Sequence, residues 1–179
     1  MTLSIFLEKI LDTPVGPLAL AASMDGLIAV EIGVEDLDEW RDQKSFPAGG
    51  VRFEPGPFPV VSWFRAYFDG DRRSFDIPLD LHAASDFQRG VLRAVLSVPY
   101  GETRTYAQIA ERIGRPTAYR AVGRANATNP LPIVVPCHRL VGSDGSLRGY
   151  GAPGGIETKA WLLRFEAGLA SPAGQVWEV

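Results

Sequence analysis

Residues 105–127 read TYAQIAERIGRPTAYRAVGRANA, and the fold of the second half of the chain turns on this stretch. Thr105 followed three residues later by Gln108 is a capping box, which opens a helix through YAQIAERI. Gly114 stands where a helix end takes a left-handed residue. Pro116-Thr117 then starts a second helix over AYRAVGRANA. Two short helices about a tight turn at residues 114–117 predict a helix-turn-helix. In the second helix Ala118, Ala121, Val122 and Ala125 are small, which lets it lie close to another surface. Arg120 and Arg124 are four apart and share one face, as a phosphate-lined groove requires. A solvated face is the ordinary alternative for two such arginines.

Upstream, Ser85 and Gln88 form another capping box, followed by an apolar face of Phe87, Val91, Leu92, Val95 and Leu96, with Pro99 as the stop. Downstream, residues 129–139 read NPLPIVVPCHR. Three prolines bracket what reads as a short apolar strand, and they fix the backbone on both sides of it. The segment IETKAWLLRFEAG predicts a last helix closed by Gly168. In the first half, residues 13–32 read as two strands joined around Met24-Asp25-Gly26. VVSWFRAYFDG has helical spacing up to Gly70, and RRSFDIPLDL reads as a further strand running into a linker. The expected fold class is α+β, with an N-terminal α/β domain over residues 1–80 and a C-terminal helix-turn-helix domain over 81–179.

The 179 residues are 46% hydrophobic and 22% charged, which suits one large or two small globular domains and not a disordered chain. No apolar run approaches the roughly 18 residues of a membrane span. The leading MTLSIFLEKILDTPVG has no basic character, so a cytoplasmic protein is expected. One cysteine excludes an internal disulfide and, with only two histidines, a cysteine-rich zinc site; no metal site is expected. The net charge of −3 at first argues against nucleic acid. Its distribution argues for it: residues 1–85 carry 7 Lys/Arg against 14 Asp/Glu, residues 86–166 carry 11 against 6, and the basic half holds the helix pair.

A lone cysteine is by default an inert buried hydrophobe. Cys137 is instead flanked by proline and followed by His138 and Arg139, a setting that suits an activated thiol. The thiolate is the nucleophile, and a nearby imidazole or positive charge lowers its pKa, so an accessible, ionised sulfur is expected. Neighbours in an extended chain point apart. His138 therefore reaches Cys137 only through a bridging water or a sharp turn. The imidazole also needs a carboxylate to orient it. The candidate is Glu166, whose position at a helix C-terminus is unfavourable for the dipole unless a charged partner offsets it. Simple exposure of Glu166 is the alternative.

PCHR at 136–139, with Asn129-Pro130 before it and a Gly-Tyr loop and KAWLLRFE after it, resembles the O6-alkylguanine-DNA alkyltransferases. The resemblance extends back through PYGETRTYAQIAERIG and RAVGRANATNP to cover residues 86–168; TPVGPLALAA and PLDL carry a weaker match in the first half. It implies a ribonuclease-H-like sheet in the N-terminal domain and a winged-helix-like helix-turn-helix. It also implies a monomer that, without a cofactor, moves the alkyl group of O6-alkylguanine in double-stranded DNA irreversibly to Cys137, and it leaves open whether O4-alkylthymine is a further substrate. By the same resemblance His138 acts as base on the thiol through a water and Glu166 orients it. Asn129 supports the backbone turn, and Tyr106 gives a proton to the departing guanine. Arg120 fills the space of the extruded nucleotide, with Thr117, Tyr119, Ala121 and Arg124 completing the DNA-contacting helix. Tyr150, Gly151, Leu140 and Lys159 belong to the substrate pocket.

The chain departs from the family in a longer loop at residues 149–155, in Arg124 where a small residue is common, and in Val91 where tryptophan is frequent. Three rivals compete: a non-catalytic sensor of alkylated DNA, a helix-turn-helix regulator, and a Cys-His hydrolase. A sensor would lack the reactive cysteine, a regulator leaves PCHR without a purpose, and a hydrolase leaves Arg120 without one.

Overall fold

The computed structural model describes residues 4–44, 46 and 50–171, which fall into two compact units, one ending at Asp80 and the other spanning Leu81–Ser171. In the first, β1 (Ile5–Ile10), β2 (Leu18–Ala22) and β3 (Leu27–Ile32) form an antiparallel meander, and β4 (Val51–Arg52) adds parallel to β1, giving the order β3-β2-β1-β4. The 24–26 turn joins β2 to β3 as the sequence predicts. Every residue of β2 is buried. Its alanines Ala19 and Ala21 leave room for Trp40 of α1 (Leu37–Gln43), which packs with Ile5 and Leu7 in one cluster. The Asp36 carboxylate caps α1 by accepting from the amides of Asp38 and Glu39 at 2.8 and 2.9 Å. Helix α2 (Val60–Phe68) buries Val60, Phe64, Tyr67 and Phe68, spaced i, i+4, i+7 and i+8, and packs on β1.

One expectation for this unit needs correction. The segment 72–81 is not a strand; it makes one bridge, Leu79 to Leu27, and the Pro78 carbonyl accepts from Leu27 N at 2.8 Å. Pro78 has no N–H, so a ladder cannot continue through it. Strand β1 and helix α1 were not foreseen, because each is short and takes its order from tertiary burial rather than local pattern.

The second unit is helical. Helix α3 (Asp86–Leu96) packs on α4 (Tyr106–Arg112) and α5 (Tyr119–Ala127), which form the predicted helix pair. The Thr105–Gln108 capping box is complete: Gln108 N donates to Thr105 Oγ1 at 3.1 Å and Thr105 N to Gln108 Oε1 at 2.8 Å. The Ser85 box is half formed. Ser85 Oγ accepts from Gln88 N, but the Gln88 amide donates to Thr128 O at 3.1 Å and Thr128 Oγ1 at 3.0 Å, tying α3 to the end of α5. Leu96 is exposed rather than part of the apolar face, and Ala94 takes its place beside Val91, Leu92 and Val95. Gly114 ends α4 at φ +71°, and Pro116–Ala118 make one 3-10 turn before α5. Two short strands, β5 (Arg104–Thr105) and β6 (Leu140–Val141), pair in parallel with Thr105 opposite Val141. That register brings the start of α4 beside the chain leaving Cys137. Helix α6 (Ile156–Glu166) buries Thr158, Lys159, Trp161, Leu162, Phe165 and Glu166, so two charged residues lie within its inward stripe. No helix among the described residues is long and apolar enough to cross a membrane.

Candidate active site

The segment before Cys137 is a tight turn, not the strand the prolines suggested. Val135 N donates to Leu131 O at 2.8 Å and Cys137 N to Val135 O at 2.7 Å, and Ile133 stands at φ +73°. A β-branched residue in that region is strained by about 1–3 kcal/mol, so its surroundings must hold it there. Asn129 does so from both sides: its Oδ1 accepts from Leu131 N at 3.0 Å and its Nδ2 donates to Val135 O at 2.9 Å. Asn126, which sequence reading passed over, donates to Cys137 O at 3.4 Å.

Cys137–Arg139 then form a 3-10 turn, the sharp turn that one of the two sequence alternatives required. His138 is fully buried, and its Nε2 lies 2.8 Å from Glu166 Oε1. A carboxylate only accepts, so Nε2 carries the proton and Nδ1 is the basic nitrogen. Nδ1 is buried with no hydrogen-bond partner among the described residues. Glu166 is 6% exposed, which excludes the exposed alternative. It has a second partner, a cation that the sequence reading missed. Arg139 grips it with Nε to Oε2 and Nη2 to Oε1, both at 2.8 Å, while its Nη1 donates to Val98 O at 2.6 Å. Gly101 N adds a fourth donor at 3.2 Å. Burial pushes the Glu166 carboxyl up, but the bonds from His138 and Arg139 outweigh it and hold the group well below the carboxylate range.

Cys137 is 5% exposed, and burial raises its thiol above the ordinary value, against the pull of Asn129, Lys159 and Tyr150. Burial likewise lowers His138, against the pull of Glu166. The expectation of an accessible, ionised sulfur is therefore corrected. At rest the pair is a neutral thiol beside a neutral imidazole, because a charged pair would be paid for in desolvation. Lys159 is fully buried on α6, seven residues before Glu166. Its Nζ donates to Arg148 O at 3.3 Å and lies 5.9 Å from the centre of the Tyr106 ring. Burial drops its pKa to about 8, and a thiolate at Cys137 would act in the opposite direction.

A cavity of about 550 Å³ opens beside this turn, within the range of small-ligand sites. Its lining includes Tyr106 from α4, Tyr119 and Arg120 from α5, and Arg148, Tyr150 and Gly151 from the following loop. Cys137 is not in the lining. Tyr106 and Tyr150 line the cavity and are electrostatically coupled to the sulfur: burial raises both phenols, a thiolate at Cys137 would raise them further, and the buried Tyr150 hydroxyl has no partner in hydrogen-bond geometry. Leu140 is fully buried in β6 and Lys159 behind the wall, so neither lines the cavity. Thr117 and Arg124 are exposed outside it and Ala121 is half-buried on α5. No group of three or more His, Cys, Asp or Glu that could hold a metal ion occurs among the described residues.

The family described as 6-O-methylguanine DNA methyltransferase, DNA binding domain, matches residues 86–168, and its ribonuclease-like domain matches residues 6–81. The chain belongs to the 6-O-methylguanine DNA methyltransferase family. The methyltransferase of Methanosarcina barkeri named methylated-DNA–protein-cysteine methyltransferase is 42% identical over 159 residues, 88% of this chain and 94% of that protein. The protein of that name from Mycobacterium tuberculosis is 43% identical over 163 residues, 90% of this chain and 93% of its own. A crystal structure of Mycobacterium tuberculosis OGT in complex with DNA superposes with a TM-score of 0.76 at 42% identity, covering 95% of this chain and 96% of that one.

For this 6-O-methylguanine DNA methyltransferase family member the neutral resting pair has a measurable consequence. The rate of Cys137 alkylation by iodoacetamide should rise with pH around a midpoint above the ordinary thiol value of about 9. Lys159→Met, which removes a cation that favours the thiolate, should move that midpoint higher still. A midpoint near pH 7 would contradict the neutral resting state.

Proposed function

We propose that this protein repairs DNA by direct reversal, taking the alkyl group from O6-alkylguanine onto Cys137 in a single turnover. The observation that carries the reading is the imidazole of His138, fixed through Nε2 by Glu166 and left with a free basic nitrogen, one residue from the only cysteine in the chain. The resting pair is neutral, so a proton must leave the thiol as the alkylated base arrives. His138 Nδ1 is its acceptor, directly or through a water, and Glu166 stabilises the imidazolium formed. Sulfur attacks the alkyl carbon in line, the S–C bond forms as the C–O6 bond breaks, and the electron pair passes to guanine. Tyr106, at the cavity wall, gives guanine the proton that makes it a good leaving group. The proton taken up by His138 is passed through solvent to restore Tyr106, so overall the thiol loses one proton and guanine gains one. The thioether has no hydrolytic exit, so the protein is consumed.

The target carbon lies inside a stacked duplex and is reached by turning the nucleotide out, at a cost of a few kcal/mol. The helix pair supports double-stranded DNA as the partner, with Arg120 filling the vacated space and the small residues of α5 permitting close approach. Tyr119, Ala121, Arg124 and Thr117 surround it. A cytoplasmic monomer, working where DNA is accessible, goes with this reading.

The test is a time course with excess duplex carrying O6-methylguanine, which should stop at one methyl per protein molecule; continued turnover would contradict the proposal. Arg120→Ala should slow that transfer by about 10–100-fold, the scale set by the extrusion cost. Its loss on free O6-benzylguanine should be far smaller, and equal losses on both substrates would argue against a role in extrusion.

A further inference from the structure

The basic residue Arg148 is used by nothing in the mechanism above, yet it is built into the site. It lines the same cavity as Arg120, Tyr106 and Tyr150. Its backbone is pinned from inside, where the buried Lys159 donates to its carbonyl at 3.3 Å. Its side chain is held from outside: Nη2 lies 3.2 Å from Asp144 Oδ2 and 3.5 Å from Oδ1. Asp144 is itself fixed, accepting from Ser146 N at 3.1 Å and Ser146 Oγ at 2.6 Å. Gly142 lies beneath the cluster. A Cβ there would come within 2.5 Å of Asp144 Oδ1, 2.9 Å of Ser146 Oγ and 3.1 Å of Arg148 Nε, so the three side chains converge over the bare glycine and would have to shift to admit a larger residue. The guanidinium remains open to solvent, with the pair 59% and 60% exposed. An ion pair this exposed holds an orientation but binds weakly, and it is readily exchanged for a better anion.

We propose that Arg148 is a second phosphate-binding arm of the DNA interface, aimed by Asp144 and gripping a backbone phosphate beside the extruded nucleotide while Arg120 occupies the stack. Guanidinium is suited to this because its planar fork matches phosphate oxygens bidentately. Asp144 then has two effects. It sets the direction of the side chain before DNA arrives, and it competes with the phosphate once DNA is bound. The inference rests on the repair reading for the extruded nucleotide, but its phosphate contact is measurable without any transfer.

The experiment is fluorescence anisotropy with a short undamaged duplex, titrated across a range of salt concentrations. Losing one phosphate contact should flatten the plot of log affinity against log salt by about 0.9 and weaken binding on the order of five- to tenfold at 0.1 M salt. Arg148→Ala should show both changes. Arg148→Lys should keep the wild-type slope, since it keeps the charge. Asp144→Asn preserves an oxygen for Ser146 but no longer competes for the guanidinium, and it should tighten binding. An unchanged slope in Arg148→Ala, or a slope lost equally in Arg148→Lys, would overturn the proposal. Methyl transfer by the wild-type protein, run alongside, separates the two readings: its absence would overturn repair, while the slopes alone decide on Arg148.

Discussion

Cys137→Ser will bind a duplex carrying O6-methylguanine and transfer nothing from it. The substitution removes one buried sulfur and puts a hydroxyl of nearly the same shape in its place. The Asn129 and Asn126 contacts that shape the turn go to backbone atoms and survive. The chemistry does not survive. The wild-type thiol already rests protonated because burial disfavours its anion, and a serine hydroxyl is far harder to ionise in the same dry position. His138 is too weak a base to take that proton, since burial has lowered its own pKa. Binding is expected within a few-fold of wild type, because α5 and the cavity are untouched. Gel-shift and transfer assays on one preparation check this. Residual transfer at even a few per cent of the wild-type rate would defeat the assignment of the acceptor.

The second large effect is expected at Glu166. Glu166→Gln keeps the size of the side chain and removes the charge that Arg139 and His138 both face. A buried guanidinium is left without its counter-ion, which costs about 3–5 kcal/mol. The melting temperature should fall by on the order of 10 °C. Transfer should fall further, by about 10²–10⁴-fold, because the imidazole loses both its orientation and the charge that stabilises its protonated form. The pH dependence has a definite sign. The Glu166 carboxyl is held below its usual value of 4.5 in the folded protein, so its stabilisation is complete above that pH and is lost as the pH falls below it. The stability gap between wild type and Glu166→Gln should therefore narrow in acid. A gap that stayed constant from pH 7 to pH 3 would show that the carboxylate is not what Arg139 and His138 hold.

The parts of this architecture legible in the sequence are those written in local signals. The Thr105–Gln108 box, Gly114 and Pro116 fix the helix pair within a few residues of each other, and no distant contact is needed to read them. Glu166 was legible through a conflict, an acid at the wrong end of a helix dipole, which the structure resolves with the Arg139 guanidinium beside the His138 imidazole. Arg139 gave no such signal. Its partner lies 27 residues away on α6, and an arginine beside Leu140 and Val141 reads as surface until the ion pair is seen. Residues 131–136 misled because prolines around β-branched residues fit a strand as well as a turn. Asn129 decides between them, through two hydrogen bonds that exist only once the turn is made. The resting state of the sulfur was misread for a similar reason: neighbours in sequence suggested charge, while burial sets neutrality.

The most direct measurement of the central claim is a peptide map by tandem mass spectrometry, after reaction of the protein with a duplex carrying O6-methylguanine. All added methyl should sit on Cys137, in an amount equal to the guanine restored in the DNA. Methyl on another residue, or restored guanine with an unmodified protein, would contradict it.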